Sequence, residues 1–187
     1  EDEMGWQPAK NVGSPINTSD HEATIGTSID GQVLFIYKYD ADSGSIYITG
    51  MQGDNWTVPE KAGGDVNSKY WETHATLSAD GNTLYFVSNR PGGLGGRDIY
   101  QCKKLPTGGW GKAMNLGPKI NTPYEEDSPF IQPGGNTLYF SSQGHKGMGG
   151  FDIFSSSYSE ADTGGGWSEP ENIGYPINTT GNDLFFV

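Results

Sequence analysis

A sequence unit that occurs four times constrains the fold of this 187-residue chain more than any other feature. Tryptophans stand at positions 6, 56, 110 and 167, and each is followed ten residues later by an isoleucine or a valine. An Asn-Thr or Asn-Ser pair comes directly after that residue. The tryptophans are 50, 54 and 57 residues apart, so the sequence predicts a repeat protein.

Each unit contains four short segments with the composition of β-strands, which we call strands a to d. Strand a precedes an Asp-Gly or Gly-Gly turn, and strand b carries Leu-Tyr-Phe or a similar run. Strand c carries Asp-Ile-Tyr or a similar run, and strand d carries the tryptophan. Length varies only in the b–c and c–d loops, and units of four strands and about 50 residues are typical of β-propeller blades.

We therefore expect an all-β chain of β-propeller blades, each with four antiparallel strands, in which 1–187 is a single propeller region. The expected parts are full blades at about 19–60, 69–114 and 123–171, a partial strand d at 1–13 and a partial strand a at 180–187. Because propellers usually have about four to eight blades, we expect the chain to be part of a larger, six-bladed propeller. The rest of a longer polypeptide would complete the ring, or alternatively a second chain.

The composition excludes several classes of protein. The 29 glycines and 11 prolines would interrupt most helices of a bundle, whereas 5 Trp, 10 Tyr and 8 Phe can supply an aromatic core. No apolar run approaches the roughly 20 residues that a membrane-spanning helix needs. The net charge of −12 argues against nucleic acid as a partner. The single cysteine, Cys102, is expected to be a buried structural thiol.

The second blade carries a specific family resemblance. Residues 72–90 read ETHATLSADGNTLYFVSNR and continue through Pro-Gly-Gly to Asp98-Ile99-Tyr100. This segment resembles the TolB-type, WD-like β-propeller repeat. The linkers NLGPKINT at 115–122 and NIGYPINT at 172–179 resemble the variant found in Bacteroidota cell-envelope proteins. There such propellers often lie beside tetratricopeptide repeats and an OmpA-like peptidoglycan-binding domain, including in a component associated with type IX secretion.

The resemblance implies a non-catalytic scaffold or binding module of a bacterial cell-envelope protein. It implies an extracytoplasmic location, in the periplasm or at the cell surface, associated with the outer membrane. The implied partners are other cell-envelope proteins, for example in a type IX secretion or gliding assembly. The alternative is a carbohydrate- or peptidoglycan-related binding module that uses Tyr70, Trp71 and Tyr124 as stacking platforms.

Strand alternation places the d–a linkers and the b–c loops on the same side of the blades, where aromatic residues stand beside charges. That composition suits recognition of a protein or a glycan. The repeated tryptophans, in contrast, are expected to pack between blades. The candidate partner-binding residues are Tyr70, Trp71, Glu72, Arg90, Arg97, Tyr124, Glu126 and His145.

Acidic residues recur at fixed places in the units. Glu22, Glu72, Glu126 and Asp183 stand where each chain segment enters strand a, and they either cap that turn or form a ring of acids around the channel mouth that binds a cation or a basic partner. Asp98 and Asp152 precede strand c and are expected to accept hydrogen bonds from backbone N–H groups of neighbouring turns.

The first blade departs from this pattern. Residues 38–43 read KYDADS in place of the Arg-Pro-Gly-Gly loop, and Ser45 replaces the aspartate that precedes strand c. Within that loop Asp40 and Asp42 resemble part of a calcium loop, but the distal glutamate is missing. Calcium at these two aspartates is therefore the weak candidate for a metal, and no other cofactor is expected.

Catalytic motifs are absent from the sequence. None of His21, His74 and His145 lies in a Gly-x-Ser-x-Gly or Cys–His context, so we expect no enzyme. His74 is expected to be a packing or turn residue, and His145 is expected to be solvated. The glycine-rich loops 90–97 and 144–150 each join two strands without a following helix, which favours turns over phosphate binding.

Overall fold

The computed structural model describes residues 8–40, 43–160 and 165–186. Within these ranges the regular structure is β-strand, and no helix is long and apolar enough to cross a bilayer. The strands are β1 Glu22–Thr27, β2 Val33–Asp40, β3 Ser43–Gln52, β4 Asn55–Trp56, β5 Glu60–Lys61, β6 Glu72–Leu77, β7 Thr83–Ser88, β8 Asp98–Lys103, β9 Met114–Asn115, β10 Glu126–Ile131, β11 Thr137–Ser142, β12 Asp152–Ser159, β13 Gly166–Trp167 and β14 Glu171–Asn172.

These strands form three antiparallel sheets in chain order. The first has the order β1-β2-β3-β4 with β5 also paired to β3, and the second has the order β6-β7-β8-β9. The third has the order β10-β11-β12-β13 with β14 also paired to β12. The predicted all-β chain with four-stranded antiparallel blades is confirmed, and the described part of the chain does not close into a ring.

Strand d is divided into two short pieces, which the sequence did not predict. The tryptophan lies in the first piece, and in the second sheet Trp110 makes an isolated bridge with Lys104. The second piece begins four residues after the tryptophan and pairs with strand c. Pro59 and Pro170 precede this second piece in two of the sheets, and each lacks the N–H that a continuous ladder requires.

The first strands of successive sheets, β1, β6 and β10, contact one another, as the inner strands of propeller blades do. One hydrophobic cluster joins Phe35 and Ile46 of the first sheet to Leu84, Phe86 and Cys102 of the second. Cys102 is fully buried, and burial raises the pKa of its thiol to about 11. The expectation of a buried structural thiol is confirmed.

A second cluster lies between the second and third sheets and includes Ile99, Phe140 and Phe154. Trp167 is buried in this cluster, and Trp110 packs against the first. The prediction that the repeated tryptophans pack between blades is confirmed for these two. Trp56 is half-buried and belongs to neither cluster, and Trp6 lies outside the described residues. Each fully buried aromatic side chain stabilises the fold by about 2 kcal/mol relative to exposure.

The repeated asparagine of the Asn-Thr pair completes strand c with its side chain. Asn121 accepts a hydrogen bond from the Ile99 N–H at 2.8 Å and donates one to the Ile99 carbonyl at 2.9 Å. The amide thereby occupies a place in the β-ladder that a backbone would otherwise fill, and each linker is tied to the blade before it. The same pair of bonds joins Asn67 to Ile46 and Asn178 to Ile153.

The two partial strands stay predictions, because residues 1–7 of the first lie outside the described residues and the second has no partner strand among them. Residues 8–13 and 180–186 carry no strand pairing in the structure. The backbone nevertheless keeps the register of the repeat, because Asp183 N donates to Phe151 O at 2.8 Å. Strand a pairs with strand b of its own blade, and the described residues offer 180–186 no such partner.

Candidate functional site

The linkers between blades and the b–c loops meet on one face, which we call the linker face. Hydrogen bonds join each glycine-rich loop to the linker before it and to the linker after it. Loops and linkers therefore form one continuous surface rather than separate mobile turns. The linker face comprises the linkers 62–71, 116–125 and 173–182 and the loops 89–97 and 143–151.

The glutamates that begin strand a are part of the scaffold. Glu72 accepts bonds from Ser68 N at 2.9 Å and from the hydroxyls of Ser68 and Ser88, both at 2.7 Å. Glu126 makes the equivalent bonds with Thr122 and the next strand b, and burial raises the pKa of its carboxyl. Both glutamates have no exposed surface, so we assign them to turn capping rather than to a ring of acids or a contact with a partner.

A basic side chain lies beside the strand c ring in each of the three sheets. The Arg90 guanidinium carbon is 5.1 Å from the ring centroids of both Phe86 and Tyr100. The His145 ring lies 5.8 Å from Phe140 and 5.2 Å from Phe154 at the corresponding place in the third sheet. In the first sheet Lys38 is over Tyr47, at 5.7 Å.

Two of these side chains hold the linkers in place. Arg90 donates to the Asp65 and Val66 carbonyls at 2.8 and 2.7 Å, and one His145 ring nitrogen lies 3.0 Å from the Ile120 carbonyl. The expectation that His145 is solvated was wrong, because its ring is half-buried between aromatic residues.

One charged cluster crosses the boundary between the second and third blades. Arg97 donates from Nε to Glu125 at 2.6 Å and from Nη1 to Asp127. His74 Nδ1 lies 2.6 Å from Asp127 Oδ1, at ion-pair distance. Burial alone would raise the pKa of Asp127, but the contacts with His74 and Arg97 outweigh it and hold that pKa below its ordinary value. The carboxylates likewise outweigh burial at Arg97 and raise its pKa.

Beside this cluster a cavity of about 220 Å³ opens between the inner strands. His74 and Ser128 line it, and Ser128 has a positive φ of 49°. Among the described residues the buried Ser128 hydroxyl has no hydrogen-bond partner, so it is not coupled to the His74 imidazole as a nucleophile would be to its base. The arrangement contains the residue types of a hydrolytic triad and the contact between His74 and Asp127, but not the hydrogen bond between serine and histidine.

Exposed aromatic side chains stand at three places on or beside the linker face, and the most exposed of them is Tyr175 of the last linker, at 83%. Trp71 is 45% exposed, and its ring centroid lies 6.0 Å from that of Tyr39, which is 47% exposed. Tyr124 is 61% exposed, whereas Tyr70 is half-buried and has Lys69 over its ring. Sequence reasoning missed Tyr39, although its position at the end of strand b on the predicted face was a usable signal.

The glycine-rich loops enclose carboxylates of the protein itself. Asp98 accepts bonds from Leu94 N at 2.6 Å and Gly95 N at 3.1 Å, and Asp152 accepts them from Met148 N and Gly149 N at 2.8 and 2.9 Å. The prediction that these aspartates bind turn N–H groups is confirmed. The loops are therefore turns around a protein carboxylate rather than phosphate-binding loops.

Of the two candidate calcium ligands, Asp40 is already bound by other side chains of the protein. Asp40 accepts bonds from Ser45 Oγ at 3.1 Å, Tyr47 OH at 2.8 Å and Lys61 Nζ at 3.0 Å, and Asp42 lies outside the described residues. Across the described ranges, no group of three or more His, Cys, Asp or Glu residues is placed to hold a metal ion.

Comparison with known proteins shows similarity only at the level of structure. No family model and no curated protein sequence matches the chain. TolB from Acinetobacter baumannii superposes with a TM-score of 0.53 at 14% identity, over 85% of this chain and 33% of that one. A TolB structure from Agrobacterium tumefaciens gives 0.54 at 15% identity, over 88% and 55%. The chain has a TolB-like fold.

The chain spans from one third to about half of the length of these structures. A protein named as a 6-phosphogluconolactonase from Bacteroides uniformis also matches, at 16% identity over 84% of this chain and 43% of that one. The TM-score of this match is 0.46.

Proposed function

We propose that this chain is a non-catalytic binding module that holds another protein on its linker face. The observation that supports this most is the exposure of Trp71 and Tyr124 on linkers that hydrogen bonds fix in place, with Tyr39 at the end of β2 beside Trp71. Tryptophan and tyrosine are enriched among the residues that dominate binding energy. A rigid platform loses little conformational entropy on binding, which favours affinity.

Charge narrows the class of partner. The net charge of −12 produces a field that accelerates association with a basic surface and slows association with an acidic one. Glu125, which is 35% exposed in its side chain, stands beside Tyr124 on the same linker. We therefore propose a partner with a basic patch around an apolar centre.

The location is proposed from the repeat and linker resemblance together with the TolB-like fold. The module belongs to an extracytoplasmic, outer-membrane-associated protein, in the periplasm or at the cell surface, and its partners are other envelope proteins, for example in a type IX secretion or gliding assembly. Fractionation of native cells tests this, and recovery of the full-length protein in the cytoplasm contradicts it.

Site-specific photo-crosslinking tests the binding face. A photoreactive phenylalanine at Trp71 or Tyr124 should give a discrete crosslinked product in native cells. The matched control is the same group at Leu105, which is 45% exposed in the c–d loop on the opposite face. Trp71→Ala should reduce crosslinking from position 124, because losing a central aromatic contact weakens affinity by about 2 kcal/mol, roughly 30-fold. Equal products from Leu105, or none from positions 71 and 124, contradict the proposal.

A further inference from the structure

Two cavities of about 430 Å³ open on the face opposite to the linker face, beside the a–b turns and the c–d loops. The first groove lies between the first and second blades, and the second groove lies between the second and third. Trp110 lines the first groove, and Trp167 lines the second. These tryptophans hold the same position in successive units, so the two grooves are copies of one structural feature.

The wall opposite the tryptophan differs between the copies. In the first groove it consists of Val33, Phe35 and Ile48, where Phe35 and Ile48 are paired across two strands. In the second groove the equivalent positions hold Thr83, Tyr85 and Gln101, with Tyr85 and Gln101 paired in the same way. Each apolar side chain thus has a polar counterpart of similar size at the same place.

The second groove also contains polar and aromatic groups that the first groove lacks. Lys103 replaces a glycine of the first blade, and its Nζ donates to Thr83 Oγ1 at 2.8 Å. Across the groove Tyr158 is 41% exposed, and its ring lies 5.3 Å from that of Trp167. Burial raises the pKa of Tyr85 to about 12, so its hydroxyl keeps its proton and can donate.

We propose that the second groove binds a neutral saccharide unit. An exposed tyrosine ring can pack against the C–H face of a sugar, while the amide, hydroxyl and ammonium groups of the opposite wall exchange hydrogen bonds with sugar hydroxyls. Asp80 and Glu160 at the rim disfavour an anionic ligand. The volume falls within the roughly 300–1,000 Å³ of ligand pockets and suits one or two sugar rings.

This site is independent of the protein-binding proposal. It lies on the opposite face of the blades and shares no residue with the aromatic platform of Tyr39, Trp71 and Tyr124. The platform also offers a poorer sugar site at Tyr70, because Lys69 lies over the ring of that residue. A failure of either proposal therefore leaves the other intact.

The test is a titration of the full chain, labelled with ¹⁵N, with glucose, galactose, N-acetylglucosamine and their β-1,4-linked disaccharides. At least one of these sugars should produce saturable chemical-shift changes at the Trp167 indole and at the amides of 83–85 and 101–103, with a dissociation constant in the millimolar range. A Tyr158→Ala variant should weaken this binding.

The decisive variant copies the first groove into the second. This variant carries Thr83→Val, Tyr85→Phe and Gln101→Ile. It should fold, because the same three side chains already form the wall of the first groove. It should lose at least about tenfold in sugar affinity, because a site that binds its ligand by hydrogen bonds is weakened strongly when those groups are removed. Lys104→Ala in the first groove is the control and should bind like wild type. Absence of saturable shifts with all the neutral sugars, unchanged binding by the triple variant, or tighter binding of glucuronate or glucosamine would overturn the proposal.

Discussion

Asp127 makes two ion pairs across a blade boundary, whereas Glu125 of the neighbouring linker makes one. It belongs to β10 of the third blade, yet it contacts His74 of β6 and Arg97 of the loop before β8. Its side chain is only 5% exposed, so these contacts act with little screening by water. One residue thus connects the inner strand and the b–c loop of one blade to the first strand of the next.

This burial predicts a specific pH dependence. The folded-state pKa of Asp127 lies below the unfolded value of 3.8, so its contribution to stability is present above that value and is lost as the pH falls through the folded pKa. Asp127→Asn should lower the free energy of unfolding by about 2 kcal/mol at pH 7, and this difference from wild type should shrink below about pH 4. Urea unfolding at pH 7, 5, 4 and 3 measures both effects.

Glu126 acts in the opposite direction, because its raised pKa makes its contribution to stability fall as the pH rises. It is present in both proteins, so it cancels when wild type and variant are subtracted. Asp20→Asn removes an exposed carboxylate and serves as the control. A constant difference between wild type and Asp127→Asn from pH 7 to pH 3 contradicts the assignment.

The sequence predicted the residue roles that repeat and missed those that occur once. The bonds of Asp98 and Asp152 were foreseen because each aspartate follows its own glycine-rich loop within a few residues. The cluster of His74, Arg97 and Asp127 joins residues about 30 to 50 positions apart in two blades. Those distances follow from how blades pack, which no local pattern in the sequence encodes.

At the scale of the strand and its loop, the same contact is made in each blade by a basic side chain of different type and position, rather than by a residue at a fixed place in the repeat. Arg90 follows the last residue of β7 by two positions, whereas His145 follows the last residue of β11 by three, and Lys38 lies within β2. The chemical requirement is a positive or polar planar group over the strand c ring, and three residue types meet it from three registers. Alignment of the units therefore conceals a contact that the structure shows in every blade.

Replacement of Arg90, the basic residue of the second blade, should lower the free energy of unfolding. Arg90→Ala leaves the fully buried Glu72 without its ion-pair partner and two linker carbonyls without a donor, so we expect a loss of about 3 kcal/mol in the free energy of unfolding. Arg90→His, which copies the third blade, should lose less. Adding Glu72→Gln to Arg90→Ala should recover part of the loss, because the buried charge is then gone.

Equilibrium unfolding in urea measures these differences. Lys119→Ala, an exposed linker cation, is the control and should stay within about 0.5 kcal/mol of wild type. If Arg90→Ala also stays within that limit, the stacked cation does not hold the linker.

At the scale of the whole molecule, the contact between consecutive blades depends on glycines, because a side chain at these positions would clash with the backbone of the next linker. A Cβ at Gly95 would collide with the carbonyl oxygens of Tyr124 and Thr122, and a Cβ at Gly149 would collide with those of Gly181 and Thr179. The neighbouring Gly96 N–H donates to Tyr124 O at 3.0 Å. The glycine-rich loops are thus the places where consecutive blades touch through their main chains.

Gly95→Ala should therefore loosen one junction without unfolding a sheet. We expect a loss of about 2 kcal/mol, as for other substitutions that overfill a packed site, and faster amide hydrogen exchange at 122–131. Gly109→Ala is the matched control, because a Cβ there meets no atom within 4 Å and the φ is not positive. Equal exchange at 122–131 in the two variants contradicts this role for Gly95.

The asparagine that completes strand c also determines at which positions a one-blade segment can begin and end if it is to be duplicated. A segment taken at the sheet boundaries, 72–115, would lack Asn121 at one end and the Ser68 bonds to Glu72 at the other. A segment from Ser68 to Asn121 carries both, and its length matches one period of the repeat. Gene duplication with ends in the linkers can therefore add a blade that brings its own hydrogen-bond partners for strand c and for Glu72, whereas ends at the strands would leave these buried groups unpaired.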